Sequence, residues 1–301
     1  MRVLITGATG LVGKELVKQC LNQDIQVHYL TTSKKKITLE KGYKGFYWNP
    51  ANGEIDTTCF NEVDAIINLA GASISKRWTS NYKQEILESR IQSLNLLKET
   101  IKQGQYNVKH LISASAIGVY PDSLTNYYDE TSKEKASGFL GDVVQQWEDA
   151  ADQFSELNIK VAKIRIGLVL AEDGGALPKL VKPIALGFGA AFGSGKQWQS
   201  WIHVTDLVQL FLFVLKKNLS GVYNGVSPNP VSNKELVKVI AKQLHRPLIF
   251  PNIPKFVLEL LLGEMHSLLF ESQRVSSSKV ENLGFNYAFH NAPNALKDLL
   301  S

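Results

Sequence analysis

Residues 2–13 read Arg2-Val3-Leu4-Ile5-Thr6-Gly7-Ala8-Thr9-Gly10-Leu11-Val12-Gly13: an apolar, β-branched strand, then three glycines at intervals of three, then the first turn of a helix. Each glycine has a physical task. Gly7 allows a tight turn, Gly10 lets the backbone approach a pyrophosphate with no Cβ in the way, and Gly13 lets the helix pack close on the strand. The helix N-terminus then offers free N–H groups and a partial positive charge to phosphates. A glycine pattern placed directly after a strand and before a helix is a dinucleotide fingerprint rather than a ligand-free turn. The residues expected to face the cofactor here are Gly7, Thr9, Gly10, Leu11, Val12 and Gly13.

Outward from this turn, short β-branched runs alternate with helical apolar spacing. Arg2–Thr6, Gln26–Thr31, residues 64–69, residues 108–113 and Lys160–Ile166 read as strands; Leu11–Leu21, residues 81–102 and residues 142–157 read as helices. Such alternation predicts an α/β fold of Rossmann type, a doubly wound parallel sheet whose ligands sit at the carboxyl ends of the strands. After Ile166 the stretch 167–195 is rich in glycine and reads as loops that approach a ligand. Two helices then follow, 205–216 and 232–244, with Thr205 and Ser232 as N-caps. Pro247, Pro251 and Pro254 mark a boundary. The expected organisation is an NAD(P)-binding part, 1–246, whose nucleotide-binding core spans about 1–165, and a small helical C-terminal part, 247–301, forming a smaller C-terminal substrate lobe.

In NAD-specific folds an Asp or Glu at the end of the second strand holds the ribose 2′-hydroxyl. Here that strand runs into Thr31-Thr32-Ser33-Lys34-Lys35-Lys36, with no acid. Hydroxyls followed by ammonium groups suit a 2′-phosphate, so NADP(H) is the expected cofactor, with Thr31, Thr32, Ser33 and Lys34 near that phosphate. At the end of the next parallel strand, Leu69, Ala70 and Gly71 are small enough for the cofactor ribose to lie against the backbone.

Composition excludes several classes. Of 301 residues 44% are hydrophobic and 20% charged, an ordinary globular balance. Two cysteines, Cys20 and Cys59, permit no disulfide framework and no multi-cysteine metal site, and the histidines are dispersed, so no metal is expected. The apolar runs are too short for a bilayer, and the N-terminus has no secretory pattern, which makes the cytoplasm the expected location. A formal net charge of +5, without a basic stripe interleaved with aromatics, points to no nucleic-acid partner and no membrane.

A cluster of longer segments is more specific. Asn68-Leu-Ala-Gly-Ala-Ser, Lys76-Arg-Trp-Thr, Lys83-Gln-Glu-Ile-Leu-Glu-Ser-Arg90, Ser113-Ala-Ser-Ala-Ile-Gly-Val-Tyr120, Asp173-Gly-Gly-Ala-Leu, Gly193-Ser-Gly-Lys-Gln-Trp198, Ser200-Trp-Ile-His-Val-Thr-Asp206 and Gly263-Glu-Met265 occur in this order. In these the chain resembles the YfcH-like epimerase family proteins of the extended short-chain dehydrogenase/reductase superfamily, over essentially its whole length. The resemblance implies an epimerase/dehydratase-like domain with an NADP site, followed by a short C-terminal domain of unknown function. It implies no settled substrate, and dimers are common in the superfamily, so a homodimer is expected by analogy.

The superfamily's usual chemistry uses a Tyr-x-x-x-Lys helical turn, the tyrosine exchanging a proton with substrate and the lysine lowering its pKa. None of the ten tyrosines here has lysine four residues on. Aligning Glu148 with the usual helix acid puts Leu140 and Val144 where that pair would stand. The remaining candidates for catalysis are Ser115, which matches the family's substrate-side hydroxyl, and Tyr120, whose pKa with no lysine nearby is expected to stay about 10; capping and packing are their alternative roles. Arg77, Trp78 and Trp198 are the candidate substrate contacts, with ordinary surface or core packing as the alternative, and His203 reads as structural. Two functions follow: an NADP(H)-dependent oxidoreductase or epimerase on a small, polar, for instance nucleotide-sugar-like, substrate, or an NADPH-binding sensor without turnover.

Overall fold

The computed structural model describes all of residues 1–301. Seven strands form a parallel sheet: β1 (Arg2–Thr6), β2 (Gln26–Thr31), β3 (Tyr43–Asn49), β4 (Ala65–Asn68), β5 (His110–Ala116), β6 (Lys160–Ile166) and β7 (Gly221–Gly225). Their spatial order is β3-β2-β1-β4-β5-β6-β7, and every neighbouring pair is parallel. The chain builds outward from β1 to β3, then crosses back to add β4 on the other side of β1. The ends of β1 and β4 therefore form the switch point at which α/β sheets bind ligands. Helices cover both faces: α1 (Leu11–Leu21) packs on α5 (Val204–Lys216), and α2 (Ser80–Gly104) packs on α3 (Phe139–Asp152).

Two expectations change. The strand Tyr43–Asn49 lies outside the runs expected to form strands, and it contains a glycine, Gly45. The reason for that glycine is steric: a Cβ there would lie 2.4 Å from the Tyr29 ring, which packs across β3. The stretch 167–195 is also not all loop. It contains a strand, Leu168–Ala171, and α4 (Leu177–Ala185), whose helical spacing Pro178 and Pro183 disguise.

These later elements build the second lobe. Leu168–Ala171 pairs with Trp201–His203, α6 (Asn233–Gln243) starts in a capping box between Ser232 and Glu235, and Leu170, Trp201 and Leu236 share a core with the final helix, Ala292–Leu300. His203 is structural: its Nδ1 accepts from the Thr205 N–H at 3.1 Å, capping α5, and its ring stacks on Phe289. The chain beyond Pro247 shares its apolar contacts with what precedes it, since Val280, Phe285 and Tyr287 join the main core. No helix is long and apolar enough to cross a membrane.

Candidate functional site

The turn after β1 is held tight. Gly7 has φ +70°, and a Cβ there would meet the Leu69 carbonyl at 2.8 Å; a Cβ at Gly13 would sit 2.2 Å from the Gly7 carbonyl oxygen. Gly10 is the N-cap of α1 and is exposed, no side chain caps the helix, and no acid stands in its first turn. Its first N–H groups are thus left for an anion. The Leu11 side chain packs against Gly174 and Gly175, so the hairpin after Ala171 closes on the start of α1.

From this turn a cleft of about 620 Å³ opens, lined by Gly7, Thr9, Ala70 and Gly71 and by the end of β2. At that end Thr31, Thr32 and Ser33 line the cleft together with Lys36, whereas Lys34 lies over the Tyr47 ring at 4.9 Å. The facing side of α2 contributes Glu85 and Glu88. The glycine cradle, the unopposed helix N-terminus and the size of the cleft fit a dinucleotide.

Beneath the cleft run two buried polar rows, set by the sheet register. In the first, Thr6, Asn68 and Ser113 are opposite one another; Thr6 Oγ1 donates to Asn68 Oδ1 at 2.7 Å and Asn68 Nδ2 to Ser113 Oγ at 3.1 Å. Thr6 Oγ1 also accepts from the Leu69 and Ala70 N–H groups, which fixes the loop after β4. In the second, Ser115, Arg165 and Asn224 are opposite one another. Ser115 Oγ donates to Glu148 Oε1 at 2.6 Å, Tyr120 donates to Asn224 Oδ1 at 2.8 Å, and Arg165 donates to both Glu148 and Tyr120.

This placement decides what Ser115 and Tyr120 can do. They are 2% and 1% exposed, and both hydroxyls are spent on the second row. Burial raises the Tyr120 pKa despite the opposing Arg165 charge, so the phenol is a poor acid where it stands. Glu148 has the opposite shift: burial works to raise its pKa, but the Arg165 guanidinium, with Ser115 and Lys163, outweighs that and holds it below the usual glutamate value.

A second cavity, of about 200 Å³, lies at the end of β5. Its walls come from Ala116–Gly118 after β5, from Leu140 and Val144 on α3, and from Trp198, Glu271 and Gln273. Leu140 and Val144 thus line this cavity as plain hydrocarbon, packed over Gly118. Arg90 lines the second cavity and packs against the cleft wall, where a Cβ at Gly71 would meet its guanidinium carbon at 3.1 Å. Its head lies 4.9 Å from the Trp147 ring centre and donates to the Ile86 carbonyl, with no acid partner; burial lowers its pKa to about 10.

Of the expected substrate contacts, Trp198 lines this cavity, its indole N–H bound to the Leu124 carbonyl. Arg77 and Trp78 are not brought to it. Arg77 is exposed beside Gly263, and Trp78 is buried edge-on against Phe139. Glu271 and Gln273, which do line it, gave no sequence signal. They arrive because Arg274–Val275 pairs with Tyr127–Tyr128, a contact made across 147 residues of chain between Tyr127 and Arg274.

The pattern of the NAD dependent epimerase/dehydratase family matches residues 3–225, and that of a domain of unknown function, DUF1731, matches residues 253–299. An epimerase family protein of Staphylococcus aureus (strain MRSA252) is 37% identical over 99% of this chain and 98% of its own length. Among solved structures, the human epimerase family protein SDR39U1 with NADPH is 29% identical, with a TM-score of 0.86 over 100% of this chain and 99% of its own. A nucleoside-diphosphate sugar epimerase from Corynebacterium glutamicum is likewise 29% identical, with a TM-score of 0.80 over 100% of this chain and 58% of its own.

Proposed function

The chain belongs to the NAD dependent epimerase/dehydratase family, and we propose that it binds NADP(H) in the cleft above β1 and β4 and acts as an oxidoreductase or epimerase on a small polar substrate held in the second cavity. The observation that carries this reading is the packing of Arg90, which lines the cavity, against Gly71, which lines the cleft, so that the two spaces are neighbours. Hydride transfer needs above all that two reacting carbons be held in near-attack geometry, and two neighbouring spaces, one for each reactant, would allow that.

When bound, the nicotinamide supplies or accepts the hydride. The chain's own groups hold its carrier: Gly7 to Gly13 and the start of α1 take the pyrophosphate, and Leu69 to Gly71 lie along the ribose. Thr31, Thr32 and Ser33, with Lys36, would take the 2′-phosphate, while Lys34, drawn over Tyr47, would add only long-range charge; support for NADP over NAD is the absence of an acid at the end of β2 and the presence of Lys36 in the cleft. Arg90, a cation with no acid partner, suits a substrate carrying a phosphate or carboxylate, as a nucleotide sugar does. Ser115 and Tyr120 we assign to the floor of the site, positioning the end of β5 rather than exchanging protons. The division near residue 246, the C-terminal part closing the cavity, and a cytoplasmic setting belong to the same reading.

A second reading, an NADPH-binding protein without turnover, is favoured by one observation: Leu140 and Val144 bring no proton donor to the cavity. Fluorescence titration with NADPH and NADH, followed by NADPH oxidation assays on sugars, quinones and aldehydes, separates the two. Turnover of any of these supports the first reading; tight NADPH binding with none supports the second.

A further inference from the structure

Of the 18 residues lining the second cavity, Arg90 and Glu271 alone carry ionisable side chains. Arg90 cannot exchange a proton near neutral pH, and the hydroxyls at the end of β5 are consumed. Glu271 differs from both. It is half-buried, it belongs to the C-terminal part of the chain, and it faces the same cavity as Leu140, Val144 and Gly118.

The segment that carries Glu271 is anchored on every side. The Ser272 N–H donates to Asp122 Oδ1 at 2.8 Å, and Ser272 Oγ donates to the Ser123 carbonyl at 2.8 Å. Gln273 Nε2 donates to the Tyr120 carbonyl at 3.0 Å and lies 3.4 Å from Glu271 Oε2, while Ser200 Oγ donates to the Gln273 carbonyl at 2.8 Å. The backbone beside Glu271 is thus held firmly, so that its side chain reaches the cavity from a fixed base, as a positioned acid requires.

We propose that Glu271 is the proton-transferring residue of this site, supplied by the C-terminal domain in place of the missing tyrosine. The proposal rests on the oxidoreductase reading above. As hydride reaches a substrate carbonyl carbon and the C–O π bond breaks, the Glu271 carboxyl proton passes to the substrate oxygen. The carbonyl becomes an alcohol with oxidation of NADPH to NADP⁺, and the Glu271 carboxylate recovers a proton from water. Burial, joined by the charge of Asp122, raises the Glu271 pKa above that of an ordinary glutamate, and the Gln273 amide opposes this in part. The other charged groups around it are Arg90, on the wall of the same cavity, and Arg274, which is stacked on Trp198 and Tyr127.

The test uses the full chain, NADPH, and a panel of carbonyl probes that includes 4-nitrobenzaldehyde and simple ketones. Glu271→Gln is expected to bind NADPH within about twofold of the wild type by fluorescence titration and to lose about a hundredfold in kcat. Glu271→Asp should restore part of that loss and move the pH profile. Infrared spectra should show a protonated-carboxyl band that persists above the pH of an ordinary glutamate and is missing from Glu271→Gln. Turnover in Glu271→Gln equal to that of an active wild type overturns the assignment of Glu271 alone, as does a carboxyl band that titrates like a surface glutamate. A wild type that binds NADPH and reduces none of the panel overturns the oxidoreductase reading, and this proposal with it.

Discussion

Arg165 and Glu148 form a two-point ion pair under the cleft, with Nε–Oε1 at 2.8 Å and Nη2–Oε2 at 2.9 Å. Ser115 closes on the same carboxylate, and Tyr120 closes on the same guanidinium. β5, β6 and α3 are thereby tied together behind the wall of the cavity. Ser115, which by resemblance matches a substrate-side hydroxyl, is here the partner of a charge.

Tyr120→Phe tests that role. The change leaves Asn224 Oδ1 and one Arg165 N–H without their buried partner, which should cost about 1–3 kcal/mol of stability. NADPH affinity should stay within about twofold, because Tyr120 lines neither the cleft nor the cavity. Urea denaturation and fluorescence titration measure the two effects. A stable variant that fails to turn over would return Tyr120 to the chemistry.

Glu148→Gln tests the pair itself. Removing one partner of a buried pair strands the other charge, and a loss of about 3–5 kcal/mol is expected. The sign of the pH dependence follows from the lowered pKa of Glu148: the contribution is complete above the ordinary glutamate value of 4.5 and is lost as pH falls below it through the depressed folded value. Glu130 and Asp206 have raised pKa values and act in the opposite sense. The informative measurement is therefore the difference between wild type and variant. That difference should shrink between neutral pH and pH 3 or so; a constant difference would contradict the pairing.

Gly13→Ala probes the close approach of α1 to β1. The new Cβ would lie 2.2 Å from the Gly7 carbonyl oxygen and 2.7 Å from Ala8 Cα, both backbone atoms that cannot rotate away. The helix must move off the strand, at a cost of about 1–3 kcal/mol. If the helix N-terminus takes the phosphates as proposed, NADPH affinity should fall as well, by about tenfold or more, a factor of ten being about 1.4 kcal/mol. Calorimetry of the apo chain and of the NADPH titration reads both.

How much of this was legible in the sequence depended on the range of the interactions. The glycine turn was readable because its cause is local: Gly7, Gly10 and Gly13 act within one strand, one turn and one helix. The absence of a tyrosine–lysine pair was readable for the same reason, as both would sit on one helical turn. The rest was not local. The need for a glycine at position 45 is not local, because the Tyr29 ring that takes the space belongs to another strand. Trp78 looked like a ligand contact, and only the fold buries it against Phe139. Ser115 and Tyr120 looked free until α3 and β6 supplied Glu148 and Arg165. Glu271 had no signal at all, since its place in the cavity is set by the strand pairing of Val275 with Tyr128.

If the cleft holds NADP(H) as proposed, the choice between NADPH and NADH should turn on one side chain. Of the three lysines after β2, Lys36 lines the cleft beside Thr32 and Ser33, whereas Lys34 is drawn over Tyr47. The three lie in one short helical turn, and the carbonyl of Lys36 is held by the Tyr29 hydroxyl, which keeps its backbone in place. Lys36→Glu should therefore weaken NADPH by about tenfold or more, because an ammonium facing the 2′-phosphate becomes a like charge. Lys34→Glu should have a smaller effect, of about two- to threefold, acting through screened long-range charge. NADH, with no phosphate there, should bind Lys36→Glu as it binds the wild type. Parallel titrations at fixed ionic strength measure all four affinities. Equal loss for both cofactors would mean that Lys36 supports the loop and does not read the phosphate.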